Sequence, residues 1–102
     1  WGMWRMSGGR SETAALVHAA LDAGITLFDT ADIYGHDGFG SAEERLGEVL
    51  ASDPGLRSRT VLATKGGIRP PLPYDQSPDY LRSAIDASLR RLRTGRIDLY
   101  QI

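Results

Sequence analysis

Three segments of the chain end alike and recur at an even interval: ITLFDTADIYG (25–35), TVLATKGG (60–67) and IDLYQI (97–102). Each runs through a short β-branched and apolar stretch and stops at a polar group or at the last residue. Between them lie stretches with the three-four apolar spacing of helices. A strand that returns about every 35 residues with a helix in between is the pattern of successive right-handed βαβ units. It predicts an α/β fold built on a parallel sheet.

The helices have readable ends. The first is predicted over 11–24, with Ser11 as cap, Val17, Ala20 and Leu21 facing inward and Gly24 as the left-handed stop. A second starts at Ser41, where S-A-E-E reads as a capping box with Glu44. Leu46, Val49 and Leu50 form its inner face, and Asp53-Pro54-Gly55 ends it. Pro70, Pro71 and Pro73 exclude helix from the next connection. Ser77-Pro78 opens a third helix, lined by Leu81, Ile85, Leu89 and Leu92, which Gly95 stops. The intervening strands are expected at 25–28, 60–64 and 97–102.

This order serves either a doubly wound sheet or a (β/α)8 barrel. Polar groups follow each complete strand, whereas a doubly wound sheet gathers its site at one switch point. No G-x-G-x-x-G opens a helix either, so the phosphate-binding turn of a dinucleotide-binding unit is missing. Both observations favour a parallel (β/α)8 TIM barrel. Such a barrel takes about 250 residues. The 102 residues form a single domain part, 1–102, expected to hold about its first four strands and three helices.

A net charge of −1 gives no electrostatic case for nucleic acid or anionic membrane. The late arginines, Arg82, Arg90, Arg91, Arg93 and Arg96, read as a solvated helix face. No cysteine is present, which suits a reducing, cytoplasmic setting. No apolar stretch approaches the roughly 18 residues of a membrane span, and no His/Asp/Glu spacing suggests a metal site.

The chemistry is expected at Asp29, Tyr34 and Lys65, which fall just past strand ends, where a parallel α/β sheet collects its ligands. Adjacent strands lie about 4.8 Å apart, so Asp29 can reach the Lys65 ammonium and Lys65 can approach the Tyr34 phenol. A nearby cation favours phenolate and makes a phenol a readier proton donor, while the carboxylate holds the lysine. Each residue also has an ordinary explanation: a turn aspartate, a loop aromatic, a solvated lysine. It is the set, on neighbouring strand ends, that points to a proton-transfer site. His18 reads as a surface residue and His36 as a solvated loop residue.

FDTADIYG followed by ATKGG and DLYQI resembles the aldo-keto reductase superfamily over nearly the whole chain. The resemblance implies a (β/α)8 barrel that binds NADPH, with NADH open, without a Rossmann domain. It implies reduction of a small-molecule aldehyde or ketone, with Tyr34 as proton donor, Lys65 favouring its ionisation and Asp29 paired with that lysine. A histidine is expected immediately after Ile102. Gly2, Met3 and Trp4 resemble the first strand end, which touches the cofactor; core packing is the ordinary explanation for Trp4, and Arg5 beside it has no assigned role. The long R-P-P-L-P-Y-D-Q connection borders the expected site, with Tyr74 as a wall residue. The alternative is a cofactor-binding regulatory module of the same barrel with little turnover, like the potassium-channel β-subunits.

Overall fold

The computed structural model describes residues 1–4, 6 and 8–102; Arg5 lies outside the described residues. The order is α1 (Arg10–Asp22), β1 (Leu27–Asp29), α2 (Ser41–Ser52), α3 (Leu56–Arg59), β2 (Val61–Lys65), α4 (Pro78–Leu92) and β3 (Leu99–Gln101). The strands form one parallel sheet in the order β1-β2-β3. A fourth parallel segment starts at the β1 edge. There Gly2 bridges Asp29, the Met3 amide donates to the Asp29 carbonyl at 2.8 Å and the Asp29 amide to the Trp1 carbonyl at 2.7 Å.

Register decides which side chains share a face. Leu27 pairs with Val61, Asp29 with Ala63, Ala63 with Leu99 and Lys65 with Gln101. These residues point one way because side chains alternate along a strand. Phe28, Leu62 and Thr64 point the other way, under the helices, and are buried. Phe28 and Leu62 join Val17, Leu21, Leu46, Val49, Leu56 and Leu92 in the core. Each such large side chain contributes about 1.5–3 kcal/mol by leaving water. The opposite, open face keeps Leu27, Val61 and Leu99 exposed.

Helix α2 packs against α4 at very close range. A Cβ on Gly47 would lie 2.0 Å from the Arg91 carbonyl oxygen, so no larger residue fits there. That closeness also sets the inner row of α4, where Ala84, Ser88 and Leu92 are buried. Leu81, Ile85 and Leu89, expected to line that face, are half-buried. Small residues let the helix backbones meet, and the larger ones lie beside the seam.

Several helix ends differ from expectation. Gly9, not Ser11, caps α1. Gly40, at φ 85, takes the cap position of α2, and Ser41 is its first helical residue with no capping bond. The anticipated capping box therefore does not form. Arg93, at φ 51, is the left-handed stop of α4 in place of Gly95. Ser77 does cap α4, accepting from the Tyr80 amide at 3.4 Å. The four-residue α3 is an addition. Among the described residues no helix is long and apolar enough to cross a membrane.

Candidate active site

The loop after β1 is held at both ends. Beyond the strand, the Thr30 amide donates to the Ala63 carbonyl at 2.9 Å and the Asp32 amide to the Lys65 carbonyl at 3.1 Å. The chain then turns, with the Tyr34 amide on the Ala31 carbonyl and the Ala42 amide on the Tyr34 carbonyl, both at 3.1 Å. Tyr34 is thereby tied to the first turn of α2 and faces the carboxyl ends of the strands.

The three expected residues converge. Lys65 Nζ lies 2.7 and 2.8 Å from the two Asp29 carboxylate oxygens and 3.0 Å from the Thr30 carbonyl. Its three N–H donors are thus matched by three acceptors. The same nitrogen sits 4.9 Å from the centroid of the Tyr34 ring. The ammonium therefore acts on the phenol through its charge over the ring face. Among the described residues, no hydrogen bond joins it to the Tyr34 hydroxyl.

Gln101, paired with Lys65 in register, donates from Nε2 to Asp29 Oδ1 at 3.4 Å. The sequence reading had missed it, although the alternation of I-D-L-Y-Q-I places it on the same face as Leu99. Gly2 and Trp4 stand at the adjoining edge, and Trp4 is 53 % exposed, so it is not a core residue. The Met3 side chain is in the core, and its amide and carbonyl are taken by Asp29 and Met6. Gly2 and Trp4 are the members of this trio that can meet a ligand. His36 is exposed, and His18 lies 3.9 Å from Asp53, away from the site. Among the described residues, no three His, Cys, Asp or Glu side chains gather as metal ligands.

Tyr34 and Lys65 open onto a cavity of about 300 Å³, at the small end of ligand pockets. Its walls include Ile33, Ile68, Ile102 and, as expected, Tyr74, with Gln76 as a polar member.

A second polar group runs from this cavity, which Asp32 and Gly66 also line, to the helix side of the sheet. Glu43 is fully buried; it accepts from the Thr64 hydroxyl and from Arg91 Nε, each at 2.6 Å. Asp32 is 2 % exposed. Burial, and then the charge of Glu43, push its carboxyl up to about 6, against the pull of Arg91 and the Ile33 amide. Burial, followed by the charge of Asp32, pushes the Tyr100 phenol up to about 12.

A parallel α/β sheet that gathers an acid, an amine and, with its ring centroid 4.9 Å from that amine, a phenol at its strand ends has the framework of part of a (β/α)8 barrel. The chain belongs to the aldo/keto reductase family, whose model matches residues 1–102. It is 67 % identical over 108 residues to a 6-dehydroglucose reductase of Novosphingobium aromaticivorans, covering 100 % of this chain and 36 % of the relative. It is 39 % identical over 105 residues to aldo-keto reductase yakc [NADP(+)] of Schizosaccharomyces pombe, covering 98 % of the chain and 29 % of the relative. The holo structure of aldo-keto reductase AKR11C1 from Bacillus halodurans superposes with a TM-score of 0.82 at 32 % identity, over 99 % of this chain and 34 % of that one. The chain thus spans about a third of the length of these proteins and corresponds to part of their barrel.

Proposed function

We propose that the full-length protein reduces an aldehyde or ketone to an alcohol at the expense of NADPH, with Tyr34 delivering the proton. The observation that carries this reading is the Lys65 ammonium, held by both Asp29 oxygens and lying over the Tyr34 ring. The residues present fit a nicotinamide cofactor: side-chain-free Gly2 lies beside Asp29 at the β1 edge with exposed Trp4 two residues on, and an apolar-walled cavity is lined by the Tyr34 phenol. When bound, that cofactor supplies a hydride to the carbonyl carbon. Tyr34 gives its hydroxyl proton to the carbonyl oxygen as negative charge builds there. Lys65 stabilises the phenolate left behind, and Asp29 with the Thr30 carbonyl keeps the lysine over the ring. The next water restores the proton, so aldehyde, hydride and proton become alcohol.

We assign NADPH because the yeast relative carries NADP(+) in its name. We assign a 6-dehydroglucose-like aldehyde sugar as substrate because the relative of highest identity given above is named for reducing 6-dehydroglucose. The test is Tyr34→Phe in the full-length enzyme, followed by NADPH absorbance and by cofactor quenching of tryptophan fluorescence. Turnover should fall by about 10²–10⁴ with cofactor affinity retained. Unchanged turnover refutes the role, and cofactor binding without turnover in the unaltered protein favours the regulatory module.

A further inference from the structure

The buried group at the cavity contains a mismatch. The Tyr100 hydroxyl is buried with no hydrogen-bond partner among the described residues. A Cβ on Gly66 would lie 2.1 Å from that hydroxyl and 3.1 Å from Asp32 Oδ2. The phenol and the carboxylate therefore meet across a glycine, no farther apart than those two lengths joined. Only glycine at 66 leaves room for them to close on each other.

Both groups belong to strand ends that carry the site. The Asp32 amide holds the Lys65 carbonyl, and the Gly66 amide donates to the Gln101 carbonyl at 3.1 Å. Tyr100 precedes Gln101, which reaches Asp29. A bond between Tyr100 and Asp32 would clamp Gly66, and with it Lys65, between the loop and β3. We propose that Asp32 is a positioning residue: when ionised, its carboxylate takes the hydrogen bond of the Tyr100 hydroxyl across Gly66 and fixes the strand end that presents Lys65.

The bond weakens when Asp32 takes up a proton, since a charged acceptor binds about twice as strongly as a neutral one. The groups that set this step come from every element around it. Glu43 of α2 opposes ionisation, and Arg91 of α4 favours it. Tyr80 of α4 and Tyr100 of β3 feel the charge of Asp32 in turn. Burial and Glu43 together bring the carboxyl to about 6, inside the working range of an enzyme. The inference rests on the reductase reading for its kinetic readout alone.

The experiment is a pH profile of kcat in the full-length enzyme, for the unaltered protein, Asp32→Asn and Tyr100→Phe. It is joined by infrared titration of the carboxyl band with no cofactor present. Because the Tyr100 bond favours the ionised form, the acid limb of the unaltered enzyme should fall below about pH 6, with kcat dropping about tenfold over about two pH units there and KM for the carbonyl unchanged. Asp32→Asn should erase this acid limb and the titrating band. Tyr100→Phe removes a donor to the ionised form, so it should move both to higher pH. An acid limb that survives Asp32→Asn, or a band that Tyr100→Phe leaves in place, overturns the proposal. The infrared arm decides even if Tyr34→Phe stays active and the reductase reading fails.

Discussion

On the open face of the sheet, Lys65, Asp29 and Gln101 are joined with every lysine donor engaged, and solvent reaches the edge of the group. Toward the helices, Asp32 and Glu43 are two acids out of water with Arg91 on Glu43, and the Tyr100 hydroxyl has no hydrogen-bond partner among the described residues. The first arrangement balances its charges locally and holds one geometry. The second crowds two acids together, and it relaxes either by binding a proton or by the proposed Tyr100 hydrogen bond. The two groups meet at one cavity, which Lys65 and Asp32 both line. The lesson is that an acid paired with an amine at a half-exposed edge needs no further partner, while burial and a second acid push the carboxyl of Asp32 up.

The contrast can be broken from either side. The largest effect is expected at the open face, where Lys65→Met in the full-length enzyme should cost about 10²–10⁴ in kcat and leave cofactor affinity within severalfold. Retained turnover would place the proton chemistry elsewhere. On the helix face, Glu43→Gln leaves Arg91 without its buried carboxylate. Urea unfolding should show a loss of about 3 kcal/mol, since breaking a buried pair is costly. It should also lower the Asp32 titration, because Glu43 is the charge that opposes it.

Asp32→Asn sharpens the comparison through stability. Its carboxyl is raised in the folded state from 3.8 to about 6, so the fold binds the proton more tightly than the unfolded chain does. The Asp32 contribution to stability must then fall as pH rises from about 4 through about 6. Relative to the unaltered protein, Asp32→Asn should gain about 3 kcal/mol across that window. A difference independent of pH would contradict the assignment. The smallest effect is at Arg82, which pairs with Asp79 in full solvent at 3.3 Å. Arg82→Ala should leave the melting temperature unchanged.

What could be read from the sequence follows the same division. Asp29, Tyr34 and Lys65 were legible because strand ends are marked by hydrophobic runs and parallel pairing fixes who stands beside whom. Asp32 and Glu43 were not. Each looks like a solvent residue in its own segment, one in a polar loop and one in the first turn of a helix, and only the packing of α2 on α4 encloses them. The caps failed for a related reason. Gly40 and Arg93 take left-handed backbone where the chain must turn, and this overrode the side-chain signals of Ser41 and Gly95. Helix α3 is too short for periodicity to reveal, and Pro54-Gly55 before it reads as turn alone.

The complete engagement of the Lys65 nitrogen has a further chemical consequence. A free primary amine facing an aldehyde condenses with it to an imine, which would block the proposed release of an alcohol. Condensation needs a nitrogen lone pair. Two carboxylate oxygens and a peptide oxygen surround the Lys65 nitrogen, so its side-chain carbon and three acceptors occupy the directions from which a carbonyl would have to approach. Under the proposed reduction, Asp29 would shield the lysine from the carbonyl substrate as well as aim its charge.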